Sequence, residues 1–175
     1  MTQLNLKTYI SEEKIQQKVK DIGAELTKKF KGEKVVAVCV LKGSFIFYSD
    51  LIRSIDADIT CEFFGVSSYH GATSSGEVKV TLDLSSPVEG QHVILIEDIV
   101  DTGLTMNYLK NAILSRKPTS LTTVALLEKP EALKVPCKLD YTGFTITNEF
   151  VVGYGLDYQG YYRNLPYIAQ VQNFQ

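Results

Sequence analysis

The sequence predicts an α/β fold, a mostly parallel central sheet flanked by helices, as one domain over residues 1–175. Three observations carry that expectation. Residues 35–40, 93–96 and 121–127 are largely apolar runs, the pattern of strands buried on both faces. Each run delivers a short polar loop, and the first two loops lead into segments with helical character. The length, 175 residues, suffices to bury a proper core in one domain.

Composition narrows the class. Hydrophobic residues make up 45% and charged residues 22%, as in a soluble globular protein. The formal charge is −2 and the pI is near 5.7. With no Lys/Arg run, a dedicated nucleic-acid surface is not expected. No stretch reaches transmembrane length and the first residues hold no apolar signal region, so no membrane partner is expected. Cys39, Cys61 and Cys137 lack metal-ligand spacing and read as reduced, mostly structural thiols, which makes the expected compartment cytoplasmic.

In chain order, Ser11 with Glu12 and Glu13 opens a first helix, as an N-cap and two acids suited to the positive helix end. Ile15, Val19, Ile22, Leu26 and Phe30 form its apolar stripe, and Gly32 is a plausible stop. The strand at 35–40 runs into Leu41-Lys42-Gly43-Ser44 and a helix over 45–55. Open α/β sheets place ligands at such strand ends. Residues 59–66 read as a strand, and 67–76 as a small, polar, mobile loop. Residues 78–84 alternate as a strand, with Val78, Val80 and Leu82 against Lys79, Thr81 and Asp83, so the loop and its flanks form a projecting hairpin. His70 and His92 are both read as solvent-exposed and non-catalytic.

The run at 93–96 ends in Glu97 and Asp98, with Asp101 three residues on. Asp101-Thr102-Gly103-Leu104-Thr105 then turns into a helix over 106–116. A strand, a Thr/Gly turn and a helix start make a phosphate cradle: free N–H groups and the positive helix end point at one anion. Gly103 permits close approach, and the Thr hydroxyls donate. Three carboxylates beside that cradle would repel a bare phosphate, so the ligand should bring hydroxyls, a cation or both. A phosphorylated ribose carried with magnesium fits. Beyond it, 121–127 is a buried strand ended by Glu128-Lys129-Pro130, residues 132–141 are a polar connector, and 150–153 is strongly strand-forming.

Ile96-Glu97-Asp98-Ile99-Val100-Asp101-Thr102-Gly103 resembles the ribose-phosphate motif of the type I phosphoribosyltransferases, and with Leu104 and Thr105 that of the hypoxanthine-guanine branch. Further matches extend the resemblance from about residue 41 to residue 168. It implies a hood over the sheet, built from the N-terminal segment and about 131–175, over a core of about 30–130. It also implies transfer of a phosphoribosyl group from phosphoribosyl pyrophosphate to a 6-oxopurine, releasing pyrophosphate and a purine nucleotide monophosphate, with Mg2+ as cofactor. In that scheme Glu97, Asp98, Asp101, Thr102, Gly103, Leu104 and Thr105 hold the ribose phosphate, and Asp101 handles the N7 proton of the base. Leu41, Lys42 and Gly43, with a cis peptide between the first two, and Arg163 meet pyrophosphate. Lys129, Phe150, Val151 and Asp157 form the purine site, and Glu97, Asp98 and Asp157 lie near the metal. Ser68 and Tyr69 match the pair on a closing lid. Leu104 replaces a lysine that some members carry, so the cradle leans on backbone N–H groups and hydroxyls. The family further implies a homodimer or homotetramer.

Two other functions share such a fold: an RNA-binding regulator with weak activity, and a nucleotide-sensing module without catalysis. The acidic pI and the full set of site matches oppose the first, and the presence of Asp101 opposes the second. Preference among hypoxanthine, guanine and xanthine stays open at this point.

Overall fold

The computed structural model describes residues 4–68 and 78–172. In order the elements are β1 (Asn5–Ile10), α1 (Glu12–Lys29), β2 (Lys34–Leu41), α2 (Phe45–Ile52), β3 (Asp58–Ser68), β4 (Val78–Leu82) and β5 (His92–Val100). There follow α3 (Leu104–Leu114), β6 (Ser120–Glu128), a 3₁₀ turn (Pro130–Ala132), β7 (Tyr141–Thr145), β8 (Val151–Val152) and β9 (Ile168–Gln172). Six strands form one sheet in the order β4-β3-β2-β5-β6-β7. Its pairings are parallel apart from β3 with β4. A second, antiparallel sheet, β1-β9-β8, joins the first strand of the chain to its last two.

The apolar runs explain why the large sheet is covered on both sides. Residues 35–40 and 93–96 are buried throughout, and their alternate side chains feed two separate cores. On one face Ala37, Cys39, Ile94 and Ile96 meet α1 and α2. On the other Val36, Val38, Val93 and Leu95 meet Met106, Leu109 and Ile113 of α3. Each such side chain contributes about 1.5–3 kcal/mol by leaving water. The α1 stripe is buried at all five expected positions, and Ser11 Oγ accepts from Lys14 N at 3.4 Å.

Several expectations need correction. The helix expected over 106–116 begins two residues earlier, at Leu104, because Gly103 adopts φ 80° and opens the helix itself. That expected over 45–55 stops at Ile52. The 150–153 strand shrinks to Val151–Val152, since Gly153 takes φ 100°. β7 has no counterpart among the strands expected from the sequence: Gly143 interrupts its apolar pattern, yet a Cβ there would sit 2.5 Å from Leu126 O, so glycine is what lets this strand pair. Asp140 fixes its register by accepting from Thr123 N at 2.7 Å and Thr123 Oγ1 at 2.9 Å.

Leu82, on the apolar side of the β4 alternation, is 46% exposed. Cys61, expected to be structural, is exposed too. His92 is half-buried rather than solvent-exposed: its Nδ1 lies 2.7 Å from Ser120 Oγ at the amino ends of β5 and β6. His70 lies outside the described residues.

Candidate active site

Parallel pairing delivers the carboxyl ends of β2, β5 and β6 to one edge of the sheet. The chain leaves β2 through α2 on one face and β5 through α3 on the other. The crevice between those two strand ends is the switch point at which such sheets bind ligands. Leu41, Lys42 and Gly43 stand on one side of it, and Glu97, Asp98, Asp101 and Thr102 on the other. The Leu41-Lys42 peptide is cis, as expected.

Close packing ties these loops together. A Cβ on Gly43 would fall 1.5 Å from Asp98 Oδ2, so only glycine lets the Asp98 carboxylate reach over the loop. One on Gly155 would fall 2.0 Å from Gly43 O. Residues 153–163 thus close the crevice from above. They bring Asp157 and Arg163, which pair at 2.5 Å between Oδ1 and Nη2. Arg163 Nη1 also donates to Gly155 O at 2.6 Å, and Asp157 Oδ2 accepts from Gly160 N at 2.7 Å. Two groups expected to meet ligand are therefore engaged with one another.

The acids differ in environment. Asp98 is 9% exposed, and its Oδ1 accepts from Ile99 N at 2.8 Å. Burial pushes its carboxyl up to about 6, against the pull of backbone donors and Arg163. Burial also drives the Glu97 carboxyl well above its ordinary range, helped by adjacent Asp98. Among the described residues Glu97 Oε2 is buried with no hydrogen-bond partner. Asp101 is exposed.

The α3 start has no side-chain cap. Thr102 Oγ1 accepts from Leu104 N at 3.4 Å, and the first helical bond runs from Asn107 N to Gly103 O at 3.0 Å. A cavity of about 80 Å³ lies there, lined by Glu97, Asp101, Thr102, Gly103 and Thr105 among others. A left-handed helix start whose one side-chain contact is the long Thr102 bond, set beside a buried carboxylate oxygen, can take an anion and a hydroxyl donor at once.

Lys129 sits beside this cleft, its N donating to Val100 O at 2.9 Å. Val151 is buried in the same apolar cluster that Leu41 and Ile99 join. Phe150 meets Tyr158 edge to face at 5.9 Å between centroids. Ser68 ends β3, whereas Tyr69 lies outside the described residues. Gly153 and Gly155 signal close approach in the sequence, and the structure shows it against backbone, at Tyr167 O and Gly43 O; sequence reasoning missed the reach of Tyr154 between them to Asp50.

A phosphoribosyl transferase domain matches residues 6–159. The hypoxanthine-guanine phosphoribosyltransferase of Bacillus subtilis is 50% identical over 93% of this chain and 91% of its own. The bifunctional protein TilS/HprT of Listeria innocua is 49% identical over 93% of this chain, which spans only 25% of that longer relative. A crystal structure of a Bacillus anthracis hypoxanthine-guanine phosphoribosyltransferase, with HEPES in its active site, superposes with a TM-score of 0.92 at 45% identity, covering 97% of this chain and 100% of that one. Sequence, fold and the loops around the crevice agree: the chain belongs to the phosphoribosyl transferase family.

Proposed function

We propose that the protein transfers the 5-phosphoribosyl group from phosphoribosyl pyrophosphate to hypoxanthine or guanine in purine salvage. One observation carries this reading: the uncapped α3 start at Gly103, with φ 80°, adjoins the unpaired Glu97 oxygen. That combination suits a sugar with both a phosphate and free hydroxyls. Glu97 and Asp98 accept from the ribose hydroxyls, while N–H groups of residues 103–105 and the Thr102 and Thr105 hydroxyls hold the 5-phosphate. Lys42, the Gly43 backbone and the remaining Arg163 donors meet pyrophosphate.

The bond from the anomeric carbon to pyrophosphate breaks as that from the carbon to N9 of the base forms. The electron pair leaves with pyrophosphate, and the N7 proton passes to Asp101. Positive charge develops on the sugar, and the carboxylates beneath it stabilise that charge. Phe150 stacks on the base, Val151 offers backbone groups to its edge, and Asp157 lies near its exocyclic group.

The residues fit a magnesium ion held largely by substrate and water. Glu97, Asp98 and Asp157 are oxygen donors, and among the described residues no group of three His, Cys, Asp or Glu side chains forms a cage. When bound, the ion supplies positive charge against the departing pyrophosphate. Among the described residues no helix is long and apolar enough to cross a membrane.

The test is product formation from phosphoribosyl pyrophosphate and Mg2+ with each of hypoxanthine, guanine, xanthine and adenine. Lys129 donates to the 6-oxo group and faces a donor in adenine. An unpaired buried donor costs about 1–3 kcal/mol, so adenine should react roughly 10–100-fold more slowly. Lys129→Met should narrow that gap mainly by losing rate with hypoxanthine. No turnover with any oxopurine would overturn the transferase reading.

The protein also pairs with a second copy of itself. Phe45 and Phe63 are each 42% exposed, and Leu82 lies on the same face. Phe45 and Tyr48 share one side of α2, Tyr48 packs on Phe63 at 5.8 Å, and Leu82 opposes Gly65. Sedimentation velocity should show a dimer or tetramer that Phe63→Glu dissociates. A parent protein that is monomeric at all concentrations would remove this claim.

A further inference from the structure

Positions 153–155 follow one another in the left-handed region, with φ 100°, 49° and 100°. The outer two are glycines, but the middle one is Tyr154, and a bulky residue is uncommon there. Its backbone is held by Tyr154 N donating to Leu165 O at 2.8 Å and Gly155 N donating to Arg163 O at 2.9 Å. The side chain, 2% exposed, runs down to α2. There its hydroxyl donates to Asp50 Oδ2 at 2.6 Å. Gln16 Nε2 of α1 donates to the same oxygen at 3.3 Å, and Arg53 pairs with Oδ1. α2 begins directly after the Leu41-Lys42-Gly43-Ser44 loop, against which Gly155 is pressed.

We propose that Asp50 and Tyr154 are a positioning pair that fixes the Lys42-Gly43 loop against the loop carrying Asp157 and Arg163, and so sets affinity for the pyrophosphate part of the sugar donor. This rests on the transferase reading. Neither residue needs to touch substrate: one hydrogen bond ties the turn ahead of Asp157 and Arg163 to α2, the helix that follows the Lys42-Gly43 loop. The base side is held separately, by Val151 pairing with Gln170 and by Val171 N donating to Phe150 O at 2.9 Å. Asp157 is the one base-side group on the loop that would move, so breaking the pair should weaken donor binding far more than base binding.

The test compares Tyr154→Phe with Tyr48→Phe. Tyr48 is equally buried, at 4% exposed, and its hydroxyl donates to Ala37 O at 3.1 Å, within the core. Tyr154→Phe should raise KM for phosphoribosyl pyrophosphate roughly 10-fold, as expected for a lost bond to a charged acceptor, with KM for hypoxanthine within about twofold. Tyr48→Phe should lower Tm comparably and leave both KM values within about twofold. Asp50→Ala should match Tyr154→Phe, the double variant should be no worse than Asp50→Ala, and Asp50→Asn, which keeps an acceptor, should recover part of the affinity. Equal rises in both KM values, or losses that multiply in the double variant, would overturn the pair.

Amide exchange separates this from failure of the transferase reading. The Tyr154 and Gly155 amides should exchange roughly 10-fold faster in Tyr154→Phe but not in Tyr48→Phe, with or without measurable turnover. Parent-like protection at both amides overturns the proposal by itself.

Discussion

Asp101→Asn should slow transfer by roughly 10²–10⁴-fold while leaving the fold untouched. Asp101 is exposed at the carboxyl end of β5. Among the described residues its carboxylate has no hydrogen-bond or ion-pair partner. An isosteric amide at such a position should change stability by no more than about 0.5 kcal/mol. The proposed reaction, however, uses this group to take the N7 proton, and an amide cannot do so. KM for phosphoribosyl pyrophosphate should stay near the parent value, because the cradle is made by the start of α3 and not by this side chain. Steady-state kinetics across pH, beside a thermal melt, read both halves. Parent-rate turnover with an unchanged pH profile would remove Asp101 from the proton transfer.

The legible part of the fold was the part governed by burial. Runs such as 35–40 and 93–96 have one workable place, inside a sheet covered on both faces. Conversely, β7 and the strands β1 and β9 of the second sheet are short, mixed and partly exposed. Their strand character comes from partners far along the chain, Asn5 with Gln172 and Tyr141 with Val124, and no local pattern carries that. The early start of α3 rests on Gly103 taking the left-handed region as the helix N-cap, a backbone choice that apolar spacing does not register.

At the candidate site, the acids and the Thr/Gly turn were readable because their types and spacing imply chemistry before geometry. What could not be read was how the acids are occupied. The pairing of Arg163 with Asp157 depends on 153–163 turning back on itself, and the reach of Asp98 over Gly43 on β2 and β5 lying side by side. Asp50 and Tyr154 are 104 positions apart, and each looks like an ordinary residue in its own segment. His92 shows the converse: a histidine at the start of a strand reads as solvent-exposed until Ser120 is placed beside it.

Asp98→Asn should raise stability, which Asp101→Asn leaves almost unchanged, although the two acids stand three residues apart. Asp98 is nearly buried, and its carboxyl is raised from 3.8 to about 6, chiefly by desolvation. Between those values the native state binds a proton that the unfolded chain has released, so stability falls as pH rises through this window. Above about pH 6 the cost of the buried charge is fully present. Two pH units correspond to about 3 kcal/mol. Asparagine removes the charge and still accepts from Ile99 N through its carbonyl oxygen. It also relieves Glu97, whose carboxyl Asp98 helps to raise. The variant should therefore be more stable than the parent by about 2–3 kcal/mol at pH 8, a Tm gain of roughly 5–10 °C for a chain of this size. That gain should shrink toward zero near pH 4. Activity should move the other way: a lost charged contact to the ribose hydroxyls costs about 1.5–3 kcal/mol, roughly 10–100-fold in turnover. The parent should itself lose donor affinity as pH falls below about 6, where Asp98 takes up its proton. Thermal melts from pH 4 to pH 8 decide the matter. A variant less stable than the parent at pH 8, or a gain independent of pH, would show that Asp98 is held by favourable contacts and not kept charged at a cost for the sake of the ligand.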